Sequence, residues 1–230
     1  MLIDGEPDLG PWCAAPVGVV LDRLLTTPAR GRPTVIAVDG RGGAGKSSIA
    51  ALLQAEAHRR GLRSAVVHTD DFAWHESFFG WDGALRRAVL EPVRLGEGVD
   101  HVPPAWRARG RLGSVPVPVG CQVLLVEGSG SARRALAPVV DKTVWVQVDG
   151  RCAVQRLLGR DGDTPQNRAF LREWAAVERP FMLAERPWER ADLVAMSGGA
   201  TTLMISSIGR TSPLVPDPGT WGQREGLSSR

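Results

Sequence analysis

Cysteine, lysine and tyrosine are the scarce residues of this 230-residue chain. Its cysteines are Cys13, Cys121 and Cys152, and their spacings fit neither a zinc ligand set nor a CxxC redox pair. An odd, sparse set predicts reduced thiols and a cytoplasmic setting. No stretch approaches the ~18 uninterrupted apolar residues of a membrane-spanning helix. Residues 1–10 are acidic and lack an apolar core, so no secretory signal is expected. The net charge is only +3, and basic and aromatic residues do not interleave in a repeated pattern. Both facts argue against a nucleic-acid surface. Of 28 basic residues only Lys46 and Lys142 are lysine. Where arginine is the default cation, a lysine inside a motif stands out. Tyrosine is absent.

What is present suffices for one folded domain. Hydrophobic residues are 43% of the chain and charged residues 23%, enough to fill a core and too apolar for wholesale disorder. Residues 16–27 read as a short amphipathic helix carrying Val17, Val20, Leu21, Leu24 and Leu25 on one side. Residues 34–38 are apolar and β-branched, as in a strand buried on both faces. Further strands are expected at 64–68, 122–126, 143–148 and 191–195, and helices at 47–60, 82–94, 132–140, 151–159 and 167–185. This alternation predicts an α/β fold: a three-layer, five-stranded, mostly parallel sheet with helices on both faces. The implied organisation is an N-terminal helix and linker over 1–33 and one main domain over 34–196. A Gly-, Ser- and Pro-rich tail over 197–230 is expected to be loosely attached. Within the main domain, residues 96–119 read as a surface excursion and substrate flap, and 156–172 as a lid.

Gly40-Arg41-Gly42-Gly43-Ala44-Gly45-Lys46-Ser47 fits the phosphate-loop pattern G-x-x-x-x-G-K-[ST], and Ser48 continues it. Glycines let the backbone curl so that successive N–H groups face an anion. The helix that follows adds the positive end of its dipole. Lys46 is placed to reach the β- and γ-phosphates, and Ser47 to ligate Mg²⁺. The loop follows an apolar strand and opens a helix, the context that the motif demands. ATP and Mg²⁺ are the expected cofactors.

Ligands of an open parallel sheet collect beyond the carboxyl ends of its strands. Asp70 and Asp71 follow the second strand there, and Glu127 follows the third. Asp70 is the candidate general base, able to take the proton of an attacking hydroxyl, and a candidate metal contact. A helix N-cap is its competing role, and Asp71 is the more cap-like of the pair. Glu127 is placed to hold Mg²⁺ or one of its waters, or to be a solvated strand-end carboxylate. Arg156 and Arg160 share a helix face, as do Arg168 and Arg172. They fit a lid that neutralises charge on the transferred phosphoryl group, or an ordinary basic face.

Taken in order, residues 35–48, His68-Thr69-Asp70-Asp71-Phe72, Val126-Glu127-Gly128 and residues 156–160 resemble the uridine kinase-like branch of P-loop nucleoside kinases, in particular its short bacterial members. The resemblance spans about 34–195, and only the phosphate loop is specific by itself. It implies phosphate and metal roles for Lys46, Ser47 and Glu127, a catalytic Asp70, and lid roles for Arg156 and Arg160. It also implies that Asp82 holds ribose hydroxyls, a role that competes with helix capping. The chain departs from the pattern on the substrate side. Ala73 stands where the family usually has tyrosine, and Pro104-Ala105-Trp106 replaces a Tyr-Asp-aromatic stretch. Trp74, Trp81 and Trp106 are placed either to stack on a planar base or to fill a core. Arg107, Arg109 and Arg111 meet an anionic acceptor or solvent.

The expected activity is ATP-dependent phosphorylation of a hydroxyl on a nucleoside-like small molecule. A phosphorylated acceptor is the nearest alternative, and a nucleotide-dependent switch is the alternative from another class. The expected partner is a small molecule, with no nucleic acid and no membrane. Assembly as a homo-oligomer is left open.

Overall fold

Thr34–Gly40 is buried at every position, and the computed structural model, which describes residues 6–26 and 31–206, places it inside a sheet rather than at an edge. In chain order the elements begin with β1 (Trp12–Pro16), α1 (Val17–Leu24), β2 (Thr34–Gly40), α2 (Lys46–Arg59), β3 (Ser64–His68) and α3 (Thr69–Ala73). α4 (Asp82–Leu85) runs through a wide π-type turn (Arg86–Leu90) into α5 (Glu91–Arg94). Next come β4 (Val99–His101), α6 (Pro104–Ala108), β5 (Val115–Val117), β6 (Val123–Glu127) and β7 (Lys142–Val146). The last are α7 (Gly150–Asp161), α8 (Pro165–Glu185), β8 (Leu193–Ser197) and β9 (Thr202–Ser206).

The main sheet has the order β1-β9-β8-β7-β2-β6-β3. β8, β7, β2, β6 and β3 are parallel, and they are the five strands expected from the sequence. β9 pairs antiparallel with β8, and β1 antiparallel with β9. The sheet therefore has seven strands rather than five. β1 escaped notice because Cys13, Ala14 and Pro16 are exposed, which leaves no apolar alternation to read. β9 sits where loose tail was expected, yet Leu203 and Ile205 are buried against the sheet. Residues 207–230 of that tail lie outside the described residues.

Helices cover both faces. Val20, Leu21 and Leu24 of α1 pack with Ile49 and Leu53 of α2 on one face. On the other, Leu85, Val89 and Leu90 meet Phe72 and Trp81. Burying each such side chain stabilises the fold by roughly 1.5–3 kcal/mol. The expected surface excursion is part of this second layer. β4 and β5 form a two-stranded antiparallel sheet, and Trp106, Val115 and Val117 are core residues. The helix expected over 132–140 shrinks to one 3₁₀ turn (Arg134–Leu136). Pro138 has no N–H to continue the ladder there. No described helix is long and apolar enough to cross a membrane.

β3 and β6 lie to one side of β2, and β7 and β8 to the other. The chain leaves β2 to build β3 and β6 on one side and then crosses over to build β7 and β8 on the other, so a crevice opens at the carboxyl end of β2. The phosphate-loop sequence starts at that point.

Candidate active site

The loop between β2 and α2 is pressed against α7 and α8. Gly43 has φ +76°, and a Cβ there would lie 2.3 Å from the Ala153 carbonyl oxygen. Only glycine fits both the backbone and the space. The Gly42 N–H donates to Glu178 Oε1 at 2.7 Å, which ties the loop to α8. α2 starts at Lys46, so its free N–H groups and positive dipole end border the loop.

Lys46 is buried and folds back over the loop. Its Nζ donates to the Arg41 carbonyl at 3.0 Å and to Ser129 Oγ at 3.2 Å. Ser47 Oγ donates to Glu127 Oε1 at 3.1 Å, and the other Glu127 oxygen meets His68 Nδ1 at 2.6 Å. Burial pushes the Glu127 carboxyl up, but His68, Lys46 and Ser47 together outweigh it and hold the group below its ordinary value. Asp70 moves the other way. Lost hydration pushes its carboxyl up, against the pull of Lys46, and the Glu127 charge adds to the rise. Two neighbouring carboxylates with opposite shifts divide naturally into an ion-holding group and a proton acceptor. A hydroxyl beside a carboxylate is a hard-oxygen donor set that suits Mg²⁺. Among the described residues no three His, Cys, Asp or Glu converge on one point.

Asp39 fixes the adjoining turn. Its buried carboxylate accepts from Gly40 N at 2.7 Å, Gly130 N at 2.8 Å and Ala132 N at 2.9 Å. Burial raises its pKa to about 6 against these three bonds. The folded value exceeds the unfolded one, so the stability it contributes is full below about pH 4 and is lost as pH rises through about 6. The span is worth up to about 3 kcal/mol. Asp39→Asn should lack this part of the pH dependence in urea unfolding at pH 4 to 7.

A cavity of about 630 Å³ lies over the loop. Gly42, Gly43, Gly45, Lys46, Ser47 and Ser48 line it from the loop side. Asp70, Glu127 and Ser129 line it from the strand ends, and Arg156 and Arg160 from α7. Arg156 Nη1 donates to the Ala44 carbonyl at 3.3 Å, and Arg160 pairs with Asp161 at 2.7 Å. Arg168 is away from the cavity and pairs with Asp163 at 2.5 Å; Arg172 is outside the lining too.

Several expected contacts fall elsewhere. Gly40 and Ala44 shape the loop without lining the cavity. Arg41 turns inward to Glu6, Nη2 to Oε2 at 2.6 Å, and both side chains are buried. The three residues expected at the substrate lie outside the lining. Asp82 pairs with Arg133 at 2.8 Å. Trp106 is buried, its indole N–H bound to the Asp71 carbonyl at 2.9 Å, because the flap folds onto the core. Arg109 is exposed at the far end of α6.

Other site residues escaped the sequence reading. Ser129 and Glu178 complete the polar bracket around Lys46 and Gly42, with Ser129 Oγ 3.1 Å from Glu178 Oε1. Phe78, Phe170, Leu171 and Trp174 join Trp74 as apolar lining. Gly128-Ser129-Gly130 directly after Glu127 was a usable sign of a tight turn at the strand end. Nothing local marked Glu178, one of three glutamates on α8.

Residues 19–75, which carry the phosphate loop and Asp70, match the Zeta toxin family model. Among solved structures, a possible uridine kinase from Bacillus stearothermophilus is similar at 17% identity. Its TM-score is 0.55, over 77% of this chain and 96% of that one. A putative fructose transport system kinase from Silicibacter sp. TM1040 is similar at 21% identity and TM-score 0.55, over 77% and 95%. A search of curated proteins found no match. The chain thus has the P-loop α/β fold, a mostly parallel sheet with helices on both faces, as expected from the sequence, with seven strands in place of five.

Proposed function

We propose that the chain is an ATP-dependent kinase that transfers the γ-phosphoryl group to a hydroxyl of a small molecule. One observation carries this reading: Gly42, Gly43, Gly45, Lys46, Ser47, Asp70 and Glu127 line a single cavity together with Arg156 and Arg160. The loop amides and α2 hold the phosphates, and Lys46 swings from its carbonyl perch to neutralise them. Ser47 and Glu127 would hold Mg²⁺, which supplies charge neutralisation on the phosphates when bound. Asp70 takes the proton of the attacking hydroxyl, and its raised pKa makes it a better base than an ordinary aspartate. Arg156 and Arg160 counter charge in the transition state.

Of the side chains expected at a nucleoside-like acceptor, Asp82, Trp81 and Trp106 lie outside the cavity lining and Trp74 lies in it, so the reading stops at a hydroxyl compound. ATP consumption measured against a panel of nucleosides, sugars and other alcohols tests it. ADP should form in step with a phosphorylated product. Slow hydrolysis indifferent to every alcohol would point instead to a nucleotide-dependent switch.

A further inference from the structure

The cavity's second wall is apolar. Trp74 and Phe78 approach from the segment after α3, and Phe170, Leu171 and Trp174 from α8. The rings brace one another. Phe78 meets Trp174 edge-on at 5.1 Å between centroids and Phe170 edge-on at 6.2 Å. This wall borders the cradle itself, since a Cβ added at Gly42 would lie 3.0 Å from Trp174 Nε1. An acceptor hydroxyl near Asp70 therefore places its body among rings.

The cations lie on the other side. Lys46, Arg156 and Arg160 are the lysine and arginines in the lining, all on the loop or α7, where a triphosphate claims them. The arginines read from the sequence as candidates for an anionic acceptor are not there. Arg111 lies over the Trp106 ring at 3.4 Å and the Trp74 ring at 5.3 Å, outside the lining, and its charge is paired with Asp71 at 2.8 Å. A second phosphate on the acceptor would lie against uncharged rings and lose its hydration without compensation. A polyol lying against this wall would find few partners for its hydroxyls, because Phe78, Phe170 and Leu171 carry no polar side-chain atom and Trp74 and Trp174 carry one N–H each, with His75 beside them.

We propose that the acceptor is an uncharged alcohol with a flat apolar body, an arylalkanol, and that Trp74, Phe78 and Trp174 set this preference. This rests on the kinase reading above. The alcohol oxygen forms a bond to the γ-phosphorus, and the bond from that phosphorus to the β–γ bridging oxygen breaks. ADP leaves with the electron pair, and the hydroxyl proton goes to the Asp70 carboxylate.

The test compares tryptophol and 2-phenylethanol with uridine, fructose and fructose 6-phosphate, reading ADP release and the phosphorylated product by mass spectrometry. The better arylalkanol should exceed each polar acceptor by at least ~10-fold in kcat/KM. Trp74→Ala should raise the KM for that arylalkanol by ~10-fold while the KM for ATP moves by less than ~2-fold. Transfer that favours uridine, fructose or fructose 6-phosphate overturns the acceptor class and leaves the kinase intact. Consumption of ATP with no phosphorylated product from any of the five overturns the kinase reading, and the acceptor class with it. An unchanged acceptor preference in a folded Trp74→Ala protein overturns the role of the wall. The wild-type ranking decides the class even if that variant does not fold.

Discussion

Asp70→Asn should stop phosphoryl transfer while ATP still binds. The expected loss in kcat is ~10²–10⁴-fold, the range for removing a positioned general base. Asparagine keeps the shape of the side chain and its place in the lining, so the phosphate cradle is undisturbed. What it loses is the ability to accept a proton. The argument depends on environment as well as position, because burial and the Glu127 charge push the Asp70 carboxyl up while Glu127 itself is held down. The two carboxylates are therefore not interchangeable. Steady-state kinetics with the best acceptor, beside a direct ATP titration, separates the two effects. Wild-type turnover in the variant would remove Asp70 as the base.

Lys46→Ala should cost ~10²–10³-fold in kcat, as for the loss of one preorganised transition-state donor. Lys46 contacts a loop carbonyl and Ser129, both of which water can satisfy after truncation, so the variant should fold. Lys46→Arg should rescue little, because a planar guanidinium does not replace a compact point charge in a buried slot. Recovery of most activity by arginine would mean that charge alone, without its placement, is enough.

The parallel part of the fold was legible because five apolar runs of strand length alternate with helical periods. β1 was not, because it is held by pairing with β9 rather than by its own burial, and three of its five residues are exposed. The phosphate-loop segment could be read because glycines and a lysine at fixed offsets leave a pattern in one short stretch. Asp70 and Glu127 were readable because both lie at the carboxyl ends of strands, Glu127 as the last residue of β6 and Asp70 two residues after β3. The apolar wall of the cavity was legible only at Trp74. It joins residues 74 and 78 to residues 170, 171 and 174, which no spacing rule connects. Trp106 takes the second of its two expected roles: it fills the core rather than facing a substrate, because the Pro- and Arg-rich stretch read as surface packs through β4 and β5 onto the second layer.

The central claim is that residues 40–48 grip a triphosphate. Calorimetric titration of the wild-type protein with ATP, in the presence and absence of Mg²⁺, tests it most directly. Saturable binding of one ATP per chain, strengthened by Mg²⁺ and weakened by Lys46→Ala, is the predicted result. Absence of saturable binding, or equal affinity in the Lys46→Ala protein, would contradict it.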